Sequence, residues 1–221
     1  AIVAAAVVLI AINVHSLFAS WGLSFHEAFF QVSSIITTTG YASADFDKWP
    51  EFSKCILILL MFVGSCAGST GGGMKVSRVM MAFKEAKKEI SSVVHPRSVK
   101  VIKYEGKPLS HDMLRSLNAF IILYFFIFFL SVLVVSLDGF DFATSFSAVA
   151  ANLNNIGPGI SGVGPMSNFG GLSDLSKTVL IFDMLAGRLE LFPLLVLLSP
   201  GTWKQTWSAL GNRRGRKGNL R

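Results

Sequence analysis

A chain of 221 residues with 52% hydrophobic and only 15% charged side chains is too apolar for a water-soluble domain and reads as a membrane protein. Its net charge of +7 does not point to nucleic acid, because the basic residues are segregated: ten Lys/Arg fall between Lys75 and Arg115 and six more after Pro200. By the positive-inside rule both stretches are cytoplasmic, and membrane topology with anionic lipid accounts for their charge.

Ala1 to Phe18 is nearly all apolar and forms a first span, M1. It begins inside a hydrophobic run without Met or a basic leader, so it is a helix rather than a signal peptide, and the chain reads as a fragment of a longer protein. Ser24 and Glu27 have capping-box spacing, which starts a short helix near Phe25 that runs to Ile36. That helix is too short to cross a bilayer. Its negative dipole end points into the membrane, where a cation gains from it. Thr37-Thr38-Thr39-Gly40-Tyr41 follows. Small polar residues before a glycine offer a row of carbonyls that can replace the water around a dehydrated cation, and this strand is read as a potassium filter. An ordinary loop with a Gly turn is the plainer reading of the motif taken alone. A polar outer loop with Asp45, Asp47 and Pro50 comes next.

Phe52 to Cys66 is apolar but covers only about 22 Å, short of the roughly 30 Å hydrocarbon core. It meets Ala67-Gly68-Ser69-Thr70-Gly71-Gly72-Gly73, a composition that disfavours helix, before helical character resumes at Met74. A broken helix is tolerated at membrane depth only where protein or a water-filled cavity surrounds it, which places Gly68, Ser69, Thr70, Gly71, Gly72 and Gly73 below the filter as a gate. A small-residue helix-packing patch is the alternative. A nucleotide-binding loop is weaker, since Met74 and Val76 replace the residues that motif needs. Cys55 and Cys66 are too far apart on a helix to pair and read as small packing residues.

Lys84 to Ser92 reads as a basic amphipathic extension, broken at His95-Pro96, and the segment Tyr104–Pro108 as a turn. Leu114 to Leu137 is long enough to span. Asp141 opens a second short helix to about Asn152, followed by Asn154-Asn155-Ile156-Gly157-Pro158-Gly159. Leu175 to Leu198 is the last span, interrupted by Asp183, Arg188 and Glu190 and bent near Pro193. A mid-span arginine costs about 2.5–3.5 kcal/mol, so Arg188 is either ion-paired to Asp183 or Glu190, or is a cation-repelling barrier in a wet cavity.

Shifting the first half by 117 residues puts Ser24 on Asp141, Phe25 on Phe142, Phe29 on Phe146, Val32 on Val149 and Gly40 on Gly157. The fold expected is therefore an all-α membrane protein of two tandem M1–P-loop–M2 pore-loop repeats, half of a pseudo-fourfold pore. Residues 1–90 are the first repeat, 91–113 a basic cytoplasmic linker, 114–200 the second repeat and 201–221 a basic cytoplasmic tail. Two units do not enclose an ion, so two further repeats or a second chain must complete the ring.

These motifs, with Gly64 to Lys75 and Ala186-Gly187-Arg188-Leu189-Glu190, resemble the Trk/Ktr/HKT superfamily of potassium uptake proteins, closest to its TrkH-type membrane subunits. The resemblance implies that the chain is the third and fourth of four repeats. It implies a pore that is usually dimeric, with a cytosolic nucleotide-binding regulatory subunit beneath it. By the same resemblance Thr38, Thr39 and Gly40 match the third filter strand, Asn155, Ile156 and Gly157 the fourth, Gly68 to Gly73 the intramembrane gating loop, and Arg188 the arginine projecting into the pore. The fourth strand has no Thr before its Gly, and residue 42 is Ala, a departure from Thr-Val-Gly-Tyr-Gly potassium filters.

The function expected is K⁺ uptake across the cytoplasmic membrane. The alternatives are a Na⁺-permeable or proton-coupled transporter and a non-conducting assembly subunit. The four histidines, His15, His26, His95 and His111, read as structural or solvated. No Cys/His cluster has metal spacing and no Ser/His/Asp set is visible, so the expectation is no enzyme and no bound cofactor, with K⁺ as cargo.

Overall fold

The computed structural model describes residues 1–64, 66, 69, 71–94, 102–104 and 107–189. The expectations for Ser65, Ala67, Gly68, Thr70, His95-Pro96, Glu190, Pro193 and the basic tail concern residues outside them. The described chain is helical: α1 (Ile2–Val14), α2 (Trp21–Ile36), α3 (Glu51–Val63), α4 (Val76–Val94), α5 (His111–Val135), α6 (Phe142–Leu153) and α7 (Asp174–Leu189). The exception is a minimal antiparallel hairpin of β1 (Lys103–Tyr104) and β2 (Lys107–Pro108), where the sequence predicts a turn.

Each half packs as a set of three helices. In the first, α1 buries Ala6, Val7, Ile10, Ala11 and Val14, a stripe of helical spacing, and packs on α2 and α3. In the second, α5 packs on α6 and α7 through Tyr124, Phe128, Ser131 and Val135. The halves join where α3 meets α6. There Phe62 stacks on Phe125 and meets Phe128 edge-on, with Phe146 of α6 beside it. Between lipid-embedded helices such ring contacts count through shape and dispersion rather than through exclusion of water.

Among the described residues one helix, His111–Asp138 with its terminal 3₁₀ turn, is long and apolar enough to cross a membrane. It starts at a Ser110 cap, whose Oγ accepts from the Met113 amide at 3.3 Å, and ends at Gly139 in the left-handed region. Ile2–Leu17 is apolar but shorter. The helix break is present: α3 stops at Val63, residues 71–75 are not helical, and α4 resumes at Val76.

Three expectations need correction. The first pore helix begins four residues early, at Trp21, capped by Ser20 Oγ accepting from the Leu23 amide. Ser24 is then one turn inside the helix, and its hydroxyl donates to the Ser20 carbonyl at 3.1 Å. Glu27 accepts from Ser43 instead of closing a capping box. Two serines four residues apart are both competent caps. Trp21, now in the first turn, stacks on His15 with 3.8 Å between ring centroids. The resumed helix and the basic extension are one element, α4, running to Val94. Finally, Cys55 and Cys66 are free and exposed on this chain's surface rather than packed.

Candidate functional site

Both pore helices end with the same backbone construction. Thr37 closes α2 at φ −85°, ψ 0°, and Asn154 closes α6 at φ −93°, ψ 2°. The next residue is left-handed in each, Thr38 at φ 56° and Asn155 at φ 54°. The Thr37, Thr38 and Thr39 amides donate to the carbonyls of Ser33, Ile35 and Ser34 at 3.1, 3.0 and 2.9 Å. The Asn154, Asn155 and Ile156 amides donate to Ala150, Asn152 and Ala151 at 3.2, 3.0 and 2.8 Å. Each of these three amides has its counterpart 117 residues away, in the register read from the sequence.

The consequence is electrostatic. The first three N–H groups of each bend are used on its own helix end, while no described hydrogen bond ends on the carbonyls of Thr38, Thr39, Gly40, Asn155, Ile156 or Gly157. A left-handed β-branched residue such as Thr38 is strained by about 1–3 kcal/mol, and the helix-end hydrogen bonds hold it. Asn155 takes the same conformation more readily.

The two bends adjoin. Gly40 sits at φ 78°, and a Cβ on it would collide with the Ile156 carbonyl oxygen and touch Pro158 Cδ at 3.4 Å. Gly157, at φ 124°, lies against the Gly40 α-carbon. Ile156 is buried, Thr38, Gly40 and Asn155 are half-buried, and Thr39 and Gly157 are exposed on this chain. All six predicted filter residues therefore fall in one place, at the C-terminal ends of α2 and α6.

On the side of the loops that follow them, the bends are tied down by contacts between the two halves. The Ser161 amide donates to Asp47 Oδ1 at 2.7 Å, joining the outer loops of the two halves. Ser147 holds both the amide and the carbonyl of Ile160. Asp141 caps α6, accepting from the Thr144 hydroxyl and from its amide at 3.2 Å. The Thr144 hydroxyl bond, opposed by a smaller desolvation, holds the Asp141 carboxyl below its ordinary value of 3.8. A depressed carboxyl stabilises the fold above its unfolded value, and the contribution is lost as pH falls through the folded-state value. We therefore expect Asp141→Ala to lower the unfolding temperature of the detergent-solubilised protein near neutral pH, with the gap to wild type closing as the medium is acidified below 3.8. A gap that stays constant across that range would assign the loss to packing instead.

On the opposite side lies the helix break. Its two ends meet: Gly64, at φ 59°, faces the Met74 carbonyl, and a Cβ there would lie 2.6 Å from that oxygen. Within the predicted gate, Gly68 and Thr70 are outside the described residues. Ser69 Oγ accepts from the Gly71 amide at 3.1 Å. Gly72 and Gly73 press on the bend that follows α6. A Cβ on Gly72 would lie 2.5 Å from the Asn154 carbonyl oxygen and 2.8 Å from Asn155 Cβ, and one on Gly73 would strike the Asn154 side chain. The described part of the segment is thus not a helical packing patch; it is irregular backbone seated against the bend that follows α6.

Arg188 occupies the last described turn of α7 and is exposed on this chain. It does not pair with Asp183. That carboxylate is fully buried, accepts from Ser131 Oγ at 2.8 Å, and its second oxygen has no hydrogen-bond partner among the described residues. The neighbour of Arg188, Gly187, was given no role by its sequence. A Cβ on it would collide with the Leu153 carbonyl oxygen and lie 2.8 Å from Asn155 Nδ2, which donates to the Met184 carbonyl at 3.1 Å. Gly72, Gly73 and Gly187 all abut the turn Leu153–Asn155, so the loop and the start of the Arg188 turn are brought to one level. A glycine within an otherwise apolar helix is the signal that marks such a close approach.

This geometry is matched by known proteins. The family model TrkH, described as cation transport protein, matches residues 4–204. The "Trk system potassium uptake protein TrkH" of Escherichia coli (strain K12) is 39% identical over 191 residues, 86% of this chain and 39% of the relative. The protein of that name from Vibrio parahaemolyticus is 42% identical over 181 residues, 82% of this chain and 37% of the relative. "Trk system potassium uptake protein TrkI" of Halomonas elongata is 41% identical over 187 residues. The crystal structure of the potassium transporter TrkH from Vibrio parahaemolyticus superposes with a TM-score of 0.82 at 39% identity, covering 91% of this chain and 43% of that one. The chain spans about two-fifths of the length of the relatives it matches, and it belongs to the TrkH family of cation transport proteins, membrane transporters rather than enzymes.

Proposed function

We propose that the full protein takes up K⁺ across the cytoplasmic membrane and that this chain supplies the third and fourth quarters of its pore. The observation that carries the reading is the pair of adjoining bends, alike in backbone, whose amides are turned onto their own helices and whose carbonyls are left for a cation. The names of the relatives, Trk system potassium uptake proteins, support K⁺ as the cargo. The Gly68–Gly73 loop is the gate, and Arg188 is a positive barrier at the same level. Two further repeats complete the ring. The protein works as a homodimer in the cytoplasmic membrane with a cytosolic nucleotide-binding regulatory subunit, the linker and tail facing the cytoplasm. Residues 1–90 and 114–200 are the two repeat units, separated by the linker 91–113 and followed by the tail 201–221.

Rb⁺ uptake by cells carrying the full-length protein tests the reading. Uptake that K⁺ competes for and Na⁺ does not is the expected result. Equal competition by Na⁺ would favour a Na⁺-permeable transporter, and no uptake would favour an assembly subunit. With uptake established, Arg188→Ala is expected to raise flux severalfold by removing a charge from the cation's path. Unchanged flux would return Arg188 to a purely structural role.

A further inference from the structure

We propose that Tyr124 is a positioning residue for the gate: its hydroxyl, acting through Asn154, keeps the Gly72–Gly73 segment seated against the fourth filter bend. The proposal rests on the filter-and-gate reading above. Tyr124 lies on α5, away from the carbonyls assigned to the ion, and is 1% exposed. Its hydroxyl donates to Asn154 Oδ1 at 2.7 Å, a bond that is itself buried.

Asn154 is held at both ends of its carboxamide. The oxygen accepts from Tyr124, and Nδ2 donates to the Ala150 carbonyl at 2.7 Å, the same carbonyl that takes the Asn154 amide. The side chain is fully buried, so rotating it strands two polar atoms away from water. Gly73 packs on this fixed side chain and Gly72 on its carbonyl. The seat of the loop is therefore a single residue whose rotamer one distant hydroxyl helps to lock.

A second link runs the same way. Arg78, in the first turn of α4 just beyond the loop, lies 4.2 Å over the ring of Phe120. Phe120 stacks on Tyr124, 6.1 Å between centroids, and Phe125 meets Tyr124 edge-on. The chain leaving the loop and the seat under the loop are thus attached to one turn of α5. A movement of α5 or α4 reaches the loop through side chains that meet the bend only at Asn154, beside the carbonyls assigned to the ion.

The test is Tyr124→Phe in the full-length protein, which removes the hydroxyl and keeps the ring. Loosening the seat is expected to raise Rb⁺ uptake about fivefold, equivalent to about 1 kcal/mol at 1.4 kcal/mol per tenfold. The ratio of K⁺ to Na⁺ competition stays at the wild-type value, because the filter carbonyls are untouched. Loop motion is read separately by a nitroxide on Cys66, which is exposed in the break, in a background where it is the sole reactive cysteine. Greater label mobility together with higher flux supports the proposal. Wild-type mobility and flux in a folded Tyr124→Phe protein overturn it and leave the filter reading intact. Greater mobility with unchanged flux also overturns it as a statement about gating, and locates the error in the assignment of the loop as gate. Should Tyr124→Phe fail to fold, Gly73→Ala serves instead. Its methyl pushes against Asn154 with the hydroxyl still present, and it must likewise raise mobility and flux or the proposal falls.

Discussion

Gly40→Ser in the full-length protein is expected to cut Rb⁺ uptake by at least about tenfold, equivalent to 1.4 kcal/mol or more. Two effects add. Serine at φ 78° takes a left-handed conformation that costs about 1–2 kcal/mol. Its Cβ also collides with the Ile156 carbonyl oxygen, a backbone atom that cannot swing aside as a side-chain tip can. Relieving the collision displaces a carbonyl of the neighbouring strand, so one substitution spoils two quarters of the ring. Gly139→Asn is the control: Gly139 has the same φ of 78°, nothing lies within 4 Å of a Cβ there, and Asn accepts the left-handed region. Wild-type uptake is expected for Gly139→Asn. Equal losses in the two variants would attribute the Gly40 effect to general backbone strain and remove Gly40 from the filter.

Gly187→Val is expected to have the largest effect on stability. Gly187 lies within α7 and its own conformation suits any residue; the obstacle is the Leu153 carbonyl oxygen packed against it. Overpacking ordinarily costs about 1–3 kcal/mol, and a collision with backbone leaves few ways to relax. Moving α7 outward also threatens the bond from Asn155 Nδ2 to Met184. The full-length variant should show a lower unfolding temperature and a smaller monodisperse peak on gel filtration, with Gly187→Ala intermediate. Wild-type values for both variants would mean that α7 does not press on the end of α6.

Much of this was legible in the sequence, for identifiable reasons. The register of 117 residues came from Phe, Val and Gly positions, and the backbone follows it down to individual amides. Residue type did not reveal the left-handed bend at Thr38, because threonine is a poor choice there; the helix-end hydrogen bonds that hold it are tertiary facts. Residue type does not choose between Ser20 and Ser24 as the cap of the first short helix, since both are competent caps, and only the structure shows that Ser20 takes it. Pairing Arg188 with Asp183 was a poor alternative on helical geometry alone, since side chains five apart do not share a face. The glycine segment announced a break, but its seat on Asn154 was hidden, since a break carries no mark of its partner.

Each bend is knotted onto the short helix that precedes it, with the first three amides of the turn spent locally. Away from the contact of Gly40 with the Ile156 carbonyl, the shape of one bend therefore does not depend on the side chains of the other. Thr-Thr-Gly and Asn-Ile-Gly can then share a ring although they are chemically unlike, and a descendant protein is free to revise one facet while its neighbours hold their form. Asymmetry of that kind is closed to a pore built from four identical chains, where any change is stamped four times.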